Sequence, residues 1–242
     1  MTVKWLLLLL TRSVLLLENN VLKQNGSGNV HIGMTAPDFS ANTTFGNIKL
    51  SDFKGKWVVL FSHPGDFTPV CTTEFIAFAE ANPEFEKRNV QLMGLSIDSN
   101  PSHLAWVNSI FNNTGVEIPF PVIADRTGDI AKMYGMIAPD VSTQETVRNV
   151  YIIDPNQVIR AILIYPLTNG RNIYEVLRLV DALQTTDKDK VVTPANWLPG
   201  EPALVPAAKT YDELKQRQNN PQSMGLNCKD WYYCYKNSGQ QP

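Results

Sequence analysis

The chain has 242 residues, 43% of them hydrophobic and 18% charged, the balance of a globular protein that buries a real core. Its 21 Lys and Arg stand against 23 Asp and Glu, and no basic run is present that would track phosphates, so no nucleic-acid partner is expected. Three cysteines, Cys71, Cys228 and Cys234, are an odd and small set, which argues against a disulfide-stapled scaffold and against a four-thiolate metal cage.

In chain order, residues 1–28 read as an N-terminal extension and linker. Two apolar runs, 6–10 and 14–17, are split by Thr11-Arg12-Ser13. A spanning helix wants ~20 continuous apolar residues, so no stable membrane span is expected. The segment reads as a frayed extension, with a signal or membrane-surface segment as the alternative.

Residues 29–190 read as one α/β domain. Phe45-Gly46-Asn47 marks a hairpin turn between 39–41 and 48–50. The run 57–62 is a buried central strand. Helical spacing covers 72–87, with Phe75, Phe78, Ala79 and Phe85 on one face. A second buried strand, 90–97, precedes a helix over 103–111, whose stripe is Leu104, Val107 and Ile110. A short strand at 121–124 and a short helix at 129–134 follow. Strands 148–153 and 158–165 flank the turn Asp154-Pro155-Asn156-Gln157. A periodic helix over 172–183 places Ile173, Val176, Leu177, Val180 and Leu183 inward. This alternation predicts an α/β sandwich on a mixed central sheet, thioredoxin-like in outline. From 191 to 242 the chain turns Pro-rich, with a short helix over 211–218. It reads as an extended C-terminal arm over the main domain or a neighbouring subunit.

The informative run is Ser62-His63-Pro64-Gly65-Asp66-Phe67-Thr68-Pro69-Val70-Cys71-Thr72-Thr73-Glu74. It lies where a buried strand ends and a helix begins. A thiol in a first helical turn meets free backbone N–H groups and the positive end of the dipole, and both favour the thiolate. A helix terminus contributes ~0.5–2 kcal/mol, so a cation should help. Pro64 and Pro69 stiffen the loop. A cysteine at such a junction is by itself weak evidence, since buried cysteines are usually inert. Cys228 and Cys234 are separated by five residues. They read either as incidental tail thiols or as a local disulfide.

Pro64-x-x-x-Thr68-x-x-Cys71 resembles the active-site motif of the peroxiredoxins, and the wider run resembles their one-cysteine-type branch. Further matching pieces are Leu95-Ser96-Ile97-Asp98-Ser99, His103-Leu104-Ala105-Trp106, Phe120-Pro121-Val122-Ile123, Gly170-Arg171-Asn172 and Pro194-Ala195-Asn196-Trp197. The resemblance implies Cys71 as peroxidatic cysteine, oxidised to a sulfenic acid, with Thr68 hydrogen-bonding the peroxide. It implies Arg148 as the cation that flanks the sulfur and binds substrate, His63 as a pocket histidine, and Arg171 as a second, supporting arginine at the pocket edge. Archaeal members of the branch resemble the tail closely. There the arrangement implies that Cys234 resolves the sulfenic acid on a partner subunit and that Cys228 then bridges to Cys234. Animal members carry a Gly-x-Ser-x-Gly-like lipase motif where this chain reads Asp52-Phe53-Lys54-Gly55-Lys56-Trp57, so phospholipase activity is not expected.

The sequence is therefore read as a thiol peroxidase acting on hydrogen peroxide and alkyl hydroperoxides. It would be recycled by a thioredoxin-like dithiol reductant, with no metal, flavin or nucleotide cofactor. The resemblance implies a homo-oligomer, a dimer assembled into a decamer. Recurrent thiol reduction points to the cytoplasm. The alternative reading is an oligomeric holdase chaperone or redox signalling protein.

Overall fold

The computed structural model describes residues 30–236. The expected N-terminal extension lies outside them. Among the described residues no helix is long and apolar enough to cross a membrane. The chain divides into two compact units, one ending at Arg171 and the other beginning at Asn172. The composition change near Val191 lies inside the second.

The first unit is built on a seven-stranded mixed sheet of order β2-β1-β5-β4-β3-β6-β7. β3 (Trp57–Ser62) is buried at every position, as a continuous apolar run in a central strand requires. β4 (Val90–Ser96) and β5 (Val122–Ala124) continue the sheet in parallel with it. On the other side β6 (Arg148–Ile153) pairs antiparallel to β3, with Leu60 opposite Tyr151 and Phe61 opposite Val150. β7 (Ile159–Tyr165) closes that edge as a hairpin. In its turn the Asp154 carboxylate accepts from the backbone N–H groups of Asn156 and Val158. β1 (Ser40–Thr43) and β2 (Gly46–Lys49) form the opposite edge hairpin.

Side chains alternate across a strand. Val58 and Leu60 thus join the core with Met93, Leu95, Tyr151 and Ile153. Phe61 instead stacks on Phe78 at 4.1 Å and meets Phe75 edge-on. Those two rings belong to α1 (Pro69–Lys87), which they seat on the sheet. Gly94 of β4 makes this approach possible: a Cβ there would lie 2.8 Å from the Phe75 ring. The sequence places the start of this helix at residue 72, whereas it begins at Pro69. Proline suits the first helical position, where its missing N–H costs no hydrogen bond.

α2 (Asn100–Thr114) is capped by Ser99, whose hydroxyl accepts from the Ser102 N–H. Its buried face differs from the expected stripe. His103, Trp106 and Ile110 are buried, while Leu104 is 47% exposed. The same helical spacing fits both faces. A polar residue wins the inward position because His103 finds partners there, described below. α3 (Asp129–Met133) follows β5.

In the second unit, α4 (Ile173–Asp189) is capped by Asn172 and runs beyond the expected end at 183. Ile173, Val176 and Val180 are buried, as the periodicity predicts. α5 (Tyr211–Asn219) is capped by Thr210. The C-terminal arm also carries strands that the sequence reading does not assign: β8 (Ala203–Leu204), β9 (Leu226–Asp230) and β10 (Tyr233–Lys236), in the order β8-β10-β9. Trp197 ties the arm to α4: its indole N–H donates to the Glu201 carbonyl, and its own carbonyl accepts from Arg178.

Candidate active site

Cys71 is the third residue of α1 and is fully buried. Thr68 occupies the N-cap position, yet its hydroxyl does not cap the helix: it donates to the Gly65 carbonyl at 2.8 Å. The first-turn N–H groups of α1 are therefore not taken up by their own cap. Thr68 lines a groove of about 410 Å³ with Phe67, Pro69, Thr72 and Trp106. Phe67, at the loop tip, holds a φ of 55°, a left-handed conformation that costs a large side chain energy.

The alternation along β6 carries Arg148 to the face on which α1 lies. Its Nη1 donates to Cys71 Sγ at 3.4 Å and to Glu74 Oε2 at 2.7 Å. Its Nε and Nη2 both donate to the Leu167 carbonyl, which fixes the plane of the guanidinium. The structure thus brings together Arg148 and Cys71, the pair that the resemblance implies, across 77 residues.

Arg171, which the resemblance implies as a supporting arginine, lies behind Glu74. It is buried, and four of its five N–H donors are engaged: two on Glu74, one on the Ser62 carbonyl and one on the Asn149 carbonyl. Its backbone N–H also donates to Glu74. Its guanidinium lies over the rings of Phe61 and Phe78. Arg171 therefore buttresses Glu74, which in turn holds Arg148. Burial pushes the Glu74 carboxyl up, but Arg171 and Arg148 outweigh it and hold it below the usual range.

A second buried cluster sits at the start of the same loop. His63 Nε2 lies 3.1 Å from Asp66 Oδ1, and His103 Nδ1 lies 2.9 Å from Asp66 Oδ2. His63 also stacks on Trp106. Burial pushes the His63 imidazole below its ordinary value of 6.5. Burial works against the Asp66 carboxylate, but the hydrogen bonds from His103 and His63 outweigh it and hold it well below the usual range. These three side chains offer metal-ligand atoms within 4.8 Å of one another. His63 Nε2, His103 Nδ1 and the two Asp66 oxygens are already hydrogen-bonded among themselves, and His103 Nε2 is engaged by the Ile123 carbonyl. Sequence reasoning singled out His63 but assigned no role to Asp66, Glu74 or His103, although all three stand in the motif pieces it quoted.

Cys228 and Cys234 face each other across the β9–β10 hairpin and are joined by a disulfide, while Cys71 is free.

Residues 32–162 match the AhpC/TSA family, and residues 182–220 match the C-terminal domain of 1-Cys peroxiredoxin. The chain is 64% identical over 205 residues to peroxiredoxin 2 of Caldanaerobacter subterraneus subsp. tengcongensis, covering 85% of this chain and 92% of that one. It is 55% identical to a peroxiredoxin of Aquifex aeolicus, covering 85% and 96%. Among solved structures, it resembles a variant of peroxiredoxin 6 of Arenicola marina, with a TM-score of 0.78 and 36% identity over 88% of this chain and all of that one. A yeast mitochondrial 1-Cys peroxiredoxin gives a TM-score of 0.76 and 42% identity over 86% of this chain and all of that one. A buried thiol at a helix start, an arginine at its sulfur and these matches lead to one conclusion: the chain belongs to the peroxiredoxins, the AhpC/TSA family of thiol peroxidases.

Proposed function

We propose that the protein reduces hydrogen peroxide and small organic hydroperoxides to water and alcohols, with Cys71 as the nucleophile. The observation that carries this reading is Arg148 Nη1 at 3.4 Å from Cys71 Sγ. The thiolate attacks one peroxide oxygen, the O–O bond breaks, and water or alcohol leaves after taking up a proton. Cys71 is left as a sulfenic acid. Among the described residues, four of the five Arg148 donors are engaged. The remaining Nη2 hydrogen is available to the charge that builds on the leaving oxygen. The Thr68 hydroxyl spends its proton on Gly65 and so offers lone pairs to a peroxide O–H. Pro64 and His63 shape the loop, and Arg171 acts through Glu74.

Cys234 of a partner subunit then displaces the sulfenic oxygen as water, forming a Cys71–Cys234 disulfide. Cys228 attacks Cys234, releasing Cys71 as a thiol and leaving the tail bridge. A thioredoxin-like dithiol reduces that bridge and is itself oxidised. The hairpin pairing of Cys228 with Cys234 supports this order. The yeast mitochondrial relative, described as resolved through glutathione and thioredoxin systems, supports a thiol donor. Because Cys71 is buried in the first turn of α1, bonding to another thiol requires that turn to open. The proposal extends to a homo-oligomer of dimers, decameric as in the resemblance, working in the cytoplasm.

Non-reducing gels and intact mass spectrometry test it, on wild type and Cys234→Ser, before and after one equivalent of hydrogen peroxide. We expect a peroxide-dependent dimer through Cys71 and Cys234 that the variant lacks. One added oxygen on wild-type Cys71 with no new disulfide would remove the resolving role of Cys234. No reaction at Cys71 would remove the peroxidase reading.

A further inference from the structure

We propose that His103 is a positioning residue for peroxide reduction: through Asp66 it fixes the proton of His63 on Nε2 and ties the loop ahead of Thr68 and Cys71 to the sheet. The inference rests on the peroxidase reading above and adds a residue to it.

The Ile123 carbonyl lies 3.1 Å from His103 Nε2. A carbonyl oxygen only accepts, so Nε2 carries a proton. His103 Nδ1 lies 3.0 and 2.9 Å from the two oxygens of Asp66. An ionised carboxylate also only accepts, so Nδ1 donates as well. His103 thus donates from both nitrogens, one to β5 and one to the loop.

Asp66 Oδ1 faces a third donor, His63 Nε2, at 3.1 Å. His63 Nδ1 is buried and has no hydrogen-bond partner among the described residues. A proton there would be an unsatisfied buried donor and would add charge to a dry site, at a cost of ~1–3 kcal/mol or more. The lone pair therefore stays on Nδ1, and His63 is a neutral ring of fixed tautomer. The acceptor belongs to the first residue of the reactive loop, in a ring stacked on Trp106.

The same carboxylate anchors the backbone. Asp66 sits midway between His63 and Thr68, and its own N–H donates to Asp98 Oδ2, which also accepts from Ser96 of β4. With the Thr68 hydroxyl on the Gly65 carbonyl, the loop is tied at each end and in the middle. The titratable groups around Asp66 are His63 from the loop, His103 from α2 and Asp98 beyond β4. Among the described residues, only the two histidines donate to its side chain.

Histidine-¹⁵N NMR on the reduced full chain, with assignment by single histidine replacement, reads the protonation pattern directly. We expect one buried ring protonated on both nitrogens, His103, and one bare on Nδ1, His63. A proton on His63 Nδ1, or a bare nitrogen on His103, would overturn the proposal. In parallel, His103→Phe keeps a ring but removes both donors. Its kcat/KM for hydrogen peroxide should fall on the order of 10²-fold, as a displaced reactive group predicts. Its acid limb should move to higher pH, because Asp66 has lost one of its two side-chain donors. His103→Gln should lose less. A folded His103→Phe protein with wild-type kcat/KM and an unmoved pH profile would overturn the proposal, and if that variant fails to fold the wild-type spectrum decides. Absence of peroxidase activity in wild type would instead bring down the parent reading, leaving the proton assignment to be judged on its own spectrum.

Discussion

Two buried carboxylates, Asp66 and Glu74, stand eight residues apart in the same run, and each is held between two nitrogen-bearing side chains. Glu74 is held by Arg148 and Arg171, which keep their charge at any working pH. Asp66 is held by His63 and His103, whose imidazoles, unlike guanidiniums, can exist without charge. The cluster beside the sulfur is thus built from permanent charge and the cluster that ties down the loop from adjustable charge. A nucleophilic thiolate needs a cation that does not leave when the pH changes. A loop anchor needs only directional donors, and histidine provides them at a smaller desolvation cost.

The largest effect that separates the clusters is the response to neutralising the carboxylate. Glu74→Gln leaves two buried guanidiniums without a counter-charge and neither can shed its proton. Breaking a buried pair in this way costs ~3–5 kcal/mol. Asp66→Asn leaves two imidazoles, and His103 can give up a proton, so the cost falls to that of unsatisfied hydrogen bonds, ~1–3 kcal/mol. Urea denaturation at neutral pH measures both. Equal losses in the two variants would show that the clusters are energetically alike and end the distinction.

The next effect lies in catalysis alone. Arg148→Lys retains the charge but not the planar fork that reaches Sγ, Glu74 and the Leu167 carbonyl together. Losing one preorganised donor costs roughly 10²–10³ in rate. We expect that fall in kcat/KM for hydrogen peroxide with only a small change in thermal midpoint. A lysine variant within threefold of wild type would mean that charge alone, and not the fork, serves the sulfur.

How much of this was legible depends on where the partners sit in the chain. β3, β6 and the hairpin at Asp154–Gln157 were readable because their signals are local: apolar runs with turn residues between them. Cys71, Thr68 and Pro64 were singled out because they share one contiguous motif that resembles the peroxiredoxin one. Arg148 came only from resemblance, since an arginine opening a strand carries no local mark of a thiol 77 residues away. Glu74 and Asp66 stood in the quoted run without a role, because a carboxylate near a helix start is ordinarily a solvated one. His103 was passed over in favour of Leu104 for a physical reason. Hydrophobicity ranks leucine inside, and only Asp66 and the Ile123 carbonyl, 37 and 20 residues away, reverse that order. The β9–β10 hairpin was missed because its strands are short, polar and alternate weakly. Its disulfide was the one feature that the cysteine spacing left open.

The smallest expected effect is the one that isolates the histidine cluster. Native His63 is held below its ordinary value of 6.5 by burial, while an unfolded histidine takes up its proton near that value. From pH 6.5 down towards the carboxylate range, the unfolded chain therefore binds more protons at this residue than the native one, and stability falls as the pH drops. The two carboxylates add nothing in this window. Their native values lie below the ordinary 3.8 for Asp66 and 4.5 for Glu74, so their contribution is complete above those values and is lost only as the pH falls below them. His31 is exposed, and its backbone contact is to a neighbouring residue. In urea titrations across this window, His63→Gln should flatten the slope of unfolding free energy against pH. A variant with the wild-type slope would mean that His63 is charged in the native protein, and the contrast between a permanent and a titratable cluster would then fail at its second member.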